Sequence, residues 1–216
     1  MSTAAKTLTL KKTASFYDRI ADVHNFALRL NGYRDSVAKF LRSLELDIRP
    51  DSMVLDAGSG TGIVTLAFHR AGYRPAKTVA FDLSGNSLQL AMEQAGKEKF
   101  ADARNIVPVQ GNILTMPFAD ASFDTVLSCG VLEYVPLEDG MSEFARVLRP
   151  GGTLVLMPVK PSLVGSVLEL LYDFKIHPPE EVRRCSLRHF NILGEQEFPA
   201  AEPIAWSKAI FLLEKK

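Results

Sequence analysis

The sequence is poor in cysteine and has no excess of charge of either sign. Among its 216 residues only Cys129 and Cys185 are cysteines, and no CxxC motif or Cys/His cluster occurs. A disulfide framework and a zinc finger are therefore excluded, and two free thiols in a reducing compartment are expected. The 25 Lys and Arg residues balance the 25 Asp and Glu residues. Proteins that bind nucleic acid usually carry a basic excess, so no nucleic-acid partner is expected.

Long apolar runs are also absent. The stretch at residues 154–157 is typical of the longest ones, and it falls far short of the roughly 18 residues that a membrane helix needs. The first 12 residues contain no apolar segment followed by small residues, so no secretory signal is predicted. No HExxH motif or histidine pair at metal-ligand spacing is present, and no metal site is predicted. The sequence therefore predicts a cytoplasmic protein without an integral membrane segment.

The chain divides into three parts after a loose tail at residues 1–13. Apolar residues recur every three or four positions across residues 14–49, which predicts two helices as an N-terminal helical extension. Short apolar strands and amphipathic helices then alternate through residues 50–160, and residues 161–216 contain an apolar helix and two closing strands. A chain of this length suits one domain, here residues 14–216.

The alternation of strands and helices in the central part has the spacing of right-handed βαβ units. It predicts an α/β fold with a doubly wound, mostly parallel, Rossmann-like sheet and helices on both faces. The strand interiors are nearly continuous apolar runs, as expected for a sheet covered on both faces. The strand at residues 106–109 contains Pro108, which places it near a sheet edge. The closing strands, near residues 190–198 and 205–214, bring the total to seven, with the last pair antiparallel.

The strongest local signal is the turn after the first strand, where glycines occupy positions 58, 60 and 62 in the segment VLDAGSGTG. Glycine allows positive φ and lets a ligand approach a backbone that a Cβ would shield. A dinucleotide-binding turn has Gly or Ala three residues after its second glycine, where this sequence has Ile63, and the Lys-Ser or Lys-Thr of a P-loop is also missing. The turn therefore binds a different ligand, or it is a tight strand–helix turn that binds none.

A carboxylate at the end of the second strand supports the ligand-binding interpretation. Asp82 follows Gly62 by 20 residues, and in a doubly wound sheet it lies beside the crevice of the first strand. There it can accept hydrogen bonds from both hydroxyls of a ribose. The other interpretation of Asp82 is an acidic residue at a helix N-terminus. The glycine turn and Asp82 together predict a ribose-bearing ligand that is bound without a phosphate cradle.

Six segments occur in the order seen in one enzyme family. They are VLDAGSGTG at 54–62, FDLS at 81–84, GNILTMPF at 111–118, SFDTV at 122–126, VLEYVP at 131–136 and ARVLRPGG at 145–152. Through them, residues 50–160 resemble class I S-adenosylmethionine-dependent methyltransferases, and most of all the small-molecule group of ubiquinone- and menaquinone-pathway methyltransferases. The opening FYDRIA at 16–21 also resembles the N-terminal helix of that group.

The resemblance implies S-adenosylmethionine as cofactor and S-adenosylhomocysteine as product. The residues that it implies along the methionine end are Asp56, Gly58, Ser59, Gly60, Gly62, Ser128 and Cys129. Those implied at the ribose and adenine are Asp82, Leu83, Asn112 and Ile113, with Tyr17 closing over the cofactor. Asp56 is expected to help hold the cofactor's amino group. Asn112 departs from the Asp that is more usual in the family, but an amide oxygen still accepts from an adenine amino group.

The resemblance implies which residues bind the cofactor, but it does not identify a catalytic residue. Methyl transfer from a sulfonium is an in-line displacement that needs alignment and a water-poor site, and a base helps only when the acceptor loses a proton. The candidates for such a base are Glu133, Tyr134, His24, His177 and His189. Relatives often carry His at the position of Tyr134, so this chain uses the phenol there or a different group. No catalytic residue is assigned, and Tyr134 is expected to line the acceptor pocket.

The apolar helix predicted at residues 162–174 bears on the acceptor. In this family the stretch after the fifth strand often forms a lid over the acceptor, and a lid this apolar suits a small quinone-like or lipid acceptor. A core helix and the contact surface of a homodimer are the two other interpretations of the same pattern.

Two functions stay open on the sequence. The first is a methyltransferase that acts on a small molecule, and the second is a binding module that holds the cofactor without transferring its methyl group. A nicotinamide oxidoreductase is disfavoured by Ile63. A nucleic-acid enzyme directed at amino groups is disfavoured because residues 128–131 lack the Asn/Asp-Pro-Pro-Tyr/Phe motif. Whether carbon, nitrogen or oxygen is methylated does not follow from the fold.

Overall fold

One seven-stranded sheet with helices on both faces forms the framework. The structure, a computed structural model, describes residues 32–98, 105–162, 165–166, 169, 174–198 and 207–216. The strands are β1 (Met53–Ala57), β2 (Lys77–Asp82), β3 (Ile106–Gln110), β4 (Phe123–Cys129), β5 (Leu148–Met157), β6 (Phe190–Gln196) and β7 (Ile210–Lys215). The helices are α1 (Tyr33–Ser43), α2 (Ile63–Arg70), α3 (Gly85–Lys97), α4 (Leu137–Val147) and α5 (Pro179–His189), with a 3₁₀ turn at Leu132–Tyr134.

The strand order is β3-β2-β1-β4-β5-β7-β6. β1 to β5 pair in parallel, and β7 is antiparallel to both β5 and β6. The predicted α/β class, the seven strands and the antiparallel last pair are therefore confirmed. The strand that contains Pro108 lies at a sheet edge, as predicted, because an edge strand tolerates a residue without an N–H. Strand order reverses between β1 and β4, and this reversal positions the site described below.

The core is divided by the sheet into two large apolar clusters. Val54 and Leu55 are neighbours on β1, yet they belong to opposite clusters because successive side chains of a strand point to opposite faces. One cluster lies under α4 and α5 and includes Phe144. The other lies under α1 and α2 and includes Leu41 and Phe68. Both faces of the central strands are thus covered, which explains their continuous apolar sequences.

The second helix of the predicted N-terminal extension is α1, which packs on α2. The guanidinium of Arg42 donates hydrogen bonds to the carbonyl oxygens of Arg70 and Ala71, at the end of α2. Cations are favourable at helix C-termini, so this contact stabilises the helix pair. The first predicted helix and the tail before it fall in residues 1–31, outside the described residues.

The structure differs from the predicted elements mainly in the last part of the chain. The helix α5 was not predicted; its first residue is Pro179, at a position where a helix needs no N–H donor. β5 begins at Leu148, directly after Val147 at the end of α4. The predicted apolar helix at 162–174 lies mostly outside the described residues.

Two further observations concern membranes and metals. No helix within the described ranges is long and apolar enough to cross a membrane. In the same ranges, no group of three or more His, Cys, Asp or Glu side chains is placed to hold a metal ion.

Candidate active site

Strand order reverses between β1 and β4, and in open α/β sheets the ligand crevice lies at this point, outside the carboxyl ends of the parallel strands. β7 is antiparallel to β5, so the residues just before β7 reach the same edge of the sheet. We call residues 58–62, 82–84 and 111–114, which follow β1, β2 and β3, the glycine-turn side. We call residues 128–134, 158–159 and 207–209, together with Tyr33, the β4–β7 side.

The turn after β1 is held in a left-handed conformation and tied to β2. Gly58, Gly60 and Gly62 have φ angles of 76°, 52° and 82°, a region that favours glycine. The carbonyl oxygen of Phe81 accepts hydrogen bonds from the backbone N–H groups of Gly58, at 2.8 Å, and Ser59, at 3.0 Å. These bonds fix the turn against the end of β2 before α2 begins.

The three glycines differ in what surrounds them. A Cβ on Gly58 would overlap the side chain of Val131, and a Cβ on Gly62 would lie 3.0 Å from the Cβ of Ala91. A Cβ on Gly60 would meet no atom of the described residues within 4 Å. Gly58 and Gly62 are therefore required by packing within the protein, whereas Gly60 faces open space in which a ligand can approach the backbone.

Asp82 joins the two loops of the glycine-turn side. Its Oδ2 accepts a hydrogen bond from the N–H of Gly60 at 2.7 Å, and its Oδ1 accepts one from the N–H of Ser84 at 2.9 Å. Its orientation is thus set by the backbone before any ligand binds.

Three buried polar atoms at this crevice have no hydrogen-bond partner among the described residues. They are Asp56 Oδ1, Ser59 Oγ and Ser128 Oγ. Asp56 and Ser128 stand close in the sheet, because the neighbour of Asp56 on β1, Ala57, pairs with Ser128 on β4. Buried polar atoms in folded proteins are nearly always partnered, so unpaired atoms at a crevice indicate a binding position for a polar ligand.

The carboxyl group of Asp56 has an unusual proton affinity. Burial raises its pKa from 3.8 to about 7, and the nearby Asp82 carboxylate acts in the same direction. The hydroxyl of Thr65 donates to Asp56 Oδ2 and lowers the pKa, but burial outweighs this effect. A cationic or amino donor at Oδ1 would favour the ionised form.

The loop after β3 borders the same crevice. The N–H of Gly111 donates to the carbonyl oxygen of Asp82 at 2.9 Å, which ties this loop to β2. Asn112 Oδ1 accepts a hydrogen bond from the N–H of Leu114 at 3.0 Å, so part of its acceptor capacity shapes the loop. Ile113 is buried in the core and Leu83 is half-buried. These residues provide apolar walls beside Asp82.

On the β4–β7 side, Cys129 ends β4 and contacts α1. The Tyr33 hydroxyl lies 3.8 Å from Cys129 Sγ. Burial raises the pKa of both groups, and the Lys208 ammonium opposes the shift at Cys129. Neither group is poised as a nucleophile at neutral pH, since the thiolate is the reactive form of cysteine.

Glu133 and Tyr134 lie in the 3₁₀ turn that follows β4. Glu133 is only 4% exposed, and its Oε1 accepts a hydrogen bond from the N–H of Val159, whereas its Oε2 is buried without a partner among the described residues. The ring of Tyr134 packs edge-on against Phe174 at a centroid distance of 5.3 Å. The turn therefore presents both an unpaired carboxylate oxygen and an aromatic surface.

The histidine candidates differ in position. His189 lies away from this turn: it precedes β6, whose first residue pairs with Lys215 at the end of β7 farthest from Lys208, and its Nε2 lies 3.3 Å from Glu138. His177 belongs to the segment that contacts the turn, because the N–H of Lys175 donates to the carbonyl oxygen of Glu133 at 3.0 Å. His177 Nδ1 lies 3.2 Å from Glu181 Oε2, and its Nε2 is buried without a partner among the described residues. Tyr17 and His24 lie outside the described residues.

Two residues of the β4–β7 side were not predicted from the sequence. Tyr33 arrives from α1, and Lys208 arrives from the residues before β7. Neither belongs to a local motif, and only the fold brings them to the end of β4. The only trace in the sequence is that Lys208 stands directly before the apolar closing strand.

Comparison with known proteins agrees with this geometry. A family model described as a methyltransferase domain matches residues 55–156. A demethylmenaquinone methyltransferase from Corynebacterium efficiens is 34% identical over 145 residues, which are 66% of this chain and 57% of the relative. An uncharacterized protein from Methanocaldococcus jannaschii is 30% identical over 215 residues, covering 93% of this chain and 88% of the relative.

A solved structure shares the fold. Geranyl diphosphate C-methyltransferase from Streptomyces coelicolor A3(2), in complex with Mg²⁺, geranyl diphosphate and S-adenosyl-L-homocysteine, has a TM-score of 0.69 and 18% identity, over 83% of this chain and 78% of that one. The fold is the Rossmann-like fold of that enzyme. Residues 55–156 form a class I S-adenosylmethionine-dependent methyltransferase domain, whose cofactor is S-adenosylmethionine. The chain spans 57% of the length of the demethylmenaquinone methyltransferase from Corynebacterium efficiens, which is less than two thirds.

Proposed function

We propose that this chain transfers the methyl group of S-adenosylmethionine to a small apolar acceptor, quinone-like or lipid, by in-line displacement. The proposal is carried by one observation: the open glycine turn, the oriented Asp82 carboxylate and three unpartnered buried polar atoms meet at the reversal of strand order. Ligands of open α/β sheets bind at this position. Residues 50–160 then act as the cofactor-binding core of a single domain, residues 14–216.

The residues of the crevice fit this cofactor chemically. Asp56 Oδ1 and Ser128 Oγ are buried acceptors that an amino group would satisfy. The Asp82 carboxylate, which the N–H of Gly60 orients, suits two ribose hydroxyls, and the open side of Gly60 gives room for the methionine end. Leu83 and Ile113 would contact the adenine, with Asn112 at its edge. The proposed cofactor site also includes Ser59, Gly58, Gly62 and Cys129, and Tyr17 covers the bound cofactor in this proposal.

Alignment and exclusion of water are the contributions expected of the chain itself. When bound, the cofactor supplies a methyl group that is already activated on a sulfonium. Asp82 cannot swing away from its ligand, because Gly60 N–H and Ser84 N–H hold its two oxygens. The buried ends of β1 and β4 form a wall with little access to water, which favours displacement over hydrolysis. Positioning of this kind supplies a large part of the rate in bimolecular transfer.

The nature of the acceptor is supported by the β4–β7 side. The relative from Corynebacterium is named a demethylmenaquinone methyltransferase, which supports a quinone-like acceptor here. The edge-on contact of Tyr134 and Phe174 supports an aromatic wall for the acceptor pocket. A cytoplasmic location and a small-molecule partner in place of nucleic acid belong to the same proposal. The apolar helix predicted at 162–174 serves it as a lid over the acceptor, and a homodimer contact is the alternative use of the same surface.

Calorimetric titration tests the cofactor site first. S-adenosylmethionine and S-adenosylhomocysteine are titrated into the wild type, Asp82→Ala and the control Asp51→Ala, whose carboxylate is exposed in an ion pair with Arg49. Micromolar binding that Asp82→Ala loses and Asp51→Ala keeps supports the site. Absence of binding to the well-folded wild type would refute it. Transfer of labelled methyl to a reduced naphthoquinone then tests the acceptor class.

The second candidate is a module that binds the cofactor without transferring its methyl group. It is favoured by Tyr134, which stands where relatives often carry His, and by Asn112, which stands where Asp is more usual. Retained binding of S-adenosylhomocysteine with no methyl transfer to quinols, lipids or phenols would support this module over the enzyme.

A further inference from the structure

The backbone of Lys208 is held firmly at the edge of the β4–β7 side. Lys208 forms an antiparallel bridge with Val159. On either side of it, Ala209 N–H donates to Pro158 O at 3.0 Å and Lys160 N–H donates to Ser207 O at 2.8 Å. These contacts fix the backbone of Lys208, and with it the first atom of the side chain, as firmly as in a residue within the sheet.

The ammonium group of Lys208 lies against the end of β4. A Cβ on Gly130, whose φ is 67°, would lie 2.5 Å from Lys208 Nζ, so the lysine fills the space that a side chain there would need. Lys208 is only 8% exposed. No carboxylate of the described residues lies within ion-pair distance of it. A largely buried lysine without an acidic partner favours an anion at its ammonium group.

Glu133 lies on the other side of the same bridge. Val159, which pairs with Lys208, donates its N–H to Glu133 Oε1. Glu133 Oε2 is buried and has no partner within the described part of the chain. Both charges act on Cys129, since the Lys208 ammonium lowers the pKa of its thiol and the Glu133 carboxylate raises it, although burial has the larger effect. One unpaired cation and one unpaired carboxylate oxygen thus flank the end of β4.

We propose that Lys208 and Glu133 are the acceptor-recognition pair of this site, and that the acceptor is a phenol or enol whose oxygen lies on Lys208 Nζ while its proton passes to Glu133 Oε2. This inference rests on the proposed methyl transfer and adds the chemical class of its acceptor. The arrangement suits such a group because a neutral hydroxyl alone would leave the ammonium without an anion, and a permanent anion would leave Oε2 without a donor.

The step balances in protons and electrons. The O–H bond breaks, its proton goes to Glu133 and its electron pair stays on the oxygen beside Lys208. The new bond to the methyl carbon forms from that oxygen, or from a ring carbon conjugated with it that afterwards gives up its own proton to solvent. In both cases the electron pair of the broken S–CH₃ bond stays on the leaving sulfur.

The test uses the full chain saturated with S-adenosylhomocysteine, and 1-naphthol with naphthalene as a partner of equal shape that lacks the hydroxyl. The variants are Lys208→Met, Lys208→Arg and Glu133→Gln, with Lys160→Met as the matched control on the adjoining segment. We expect the wild type to prefer naphthol and to show the naphtholate absorption spectrum below the pH at which free naphthol ionises. In Lys208→Met and Glu133→Gln the naphtholate spectrum should be lost, and the ratio of the affinities for naphthol and naphthalene should fall by about tenfold or more. Lys208→Arg and Lys160→Met should retain the spectrum.

The outcomes separate this inference from the proposed function. A wild type that binds S-adenosylhomocysteine but does not distinguish naphthol from naphthalene would overturn the acceptor class alone. So would a folded Lys208→Met variant with the wild-type spectrum. A wild type that does not bind S-adenosylhomocysteine would remove the proposed function, and this inference with it. If Lys208→Met does not fold, Lys208→Arg and Glu133→Gln still decide, because a structural role for the pair would not alter the spectrum of bound naphthol.

Discussion

The glycine-turn side and the β4–β7 side of the crevice meet at the same sheet edge but are built differently. On the glycine-turn side, Asp82 is oriented by two backbone N–H groups, and its partners come from loops within about one βαβ unit. On the β4–β7 side, Tyr33, Glu133 and Lys208 converge from distant parts of the chain. Among the described residues, Glu133 Oε2 has no hydrogen-bond partner and the Lys208 ammonium has no acidic partner. The glycine-turn side is therefore held by its own backbone, whereas the charged groups of the β4–β7 side are not held by each other.

The largest effect is expected from Gly58→Ala, which challenges the glycine-turn side. Gly58 has a positive φ, which costs a residue with a Cβ about 1–2 kcal/mol. Its Cβ would also overlap Val131 across the crevice, and overpacking costs about 1–3 kcal/mol. A chain of this size loses about 2–4 °C of melting temperature per kcal/mol. We therefore expect the melting temperature to fall by about 5–15 °C in a thermal scan.

Gly60→Ala is the matched control for that variant. Gly60 also has a positive φ, but its Cβ would enter open space. We expect a smaller fall in melting temperature, close to the cost of backbone strain alone, together with weaker binding of S-adenosylhomocysteine. Equal melting temperatures for the two alanine variants would show that Val131 yields without cost and would remove the distinction between the glycines.

Asp56→Asn sharpens the comparison at the boundary between the two sides. The folded state holds the Asp56 proton up to about pH 7, against 3.8 for the ordinary group. Between these values the folded state binds more protons than the unfolded state, so the stability contributed by Asp56 is lost as pH rises from about 4 to about 7. In the variant this loss should be absent. Over this pH range the free energy of unfolding of the wild type should therefore fall by at least about 1.4 kcal/mol more than that of the variant, which is the value of one pKa unit.

Denaturant unfolding of both proteins at pH 5 and pH 8 measures this effect. His69 acts in the opposite direction, since burial lowers its pKa to about 4, and it is common to both proteins. The difference between variant and wild type therefore isolates Asp56. Identical pH dependence would mean that Asp56 ionises normally and that its unpaired oxygen is hydrated.

The same contrast explains how much the sequence predicted. Glycine conformation, an acid at a strand end and apolar alternation are local patterns, so the first five strands, the turn and Asp82 followed from them. The packing of Gly58 on Val131 and the placement of Lys208 on Gly130 depend on contacts between distant segments, which no local pattern records. α5 was not predicted, although Pro179 stands at its first position, where proline is favourable. Arg146 belongs to the recognised motif at 145–152, yet its contacts could not be predicted. Its guanidinium donates hydrogen bonds to the carbonyl oxygens of Met116 and Phe118 and so supports the loop after β3.

The smallest effect is expected at Tyr134, where the β4–β7 side meets the aromatic wall. Its ring packs edge-on against Phe174, and such pairs contribute about 0.5–1.5 kcal/mol. With an acceptor that the enzyme methylates, Tyr134→Ala should raise KM by about 2–10-fold and leave binding of S-adenosylhomocysteine unchanged. Tyr134→Phe keeps the ring and should change turnover little if the residue only lines the pocket. A loss of kcat in Tyr134→Phe would instead make the phenol a proton-transferring group and shift that role away from Glu133, and unchanged turnover in both variants would remove Tyr134 from the acceptor pocket.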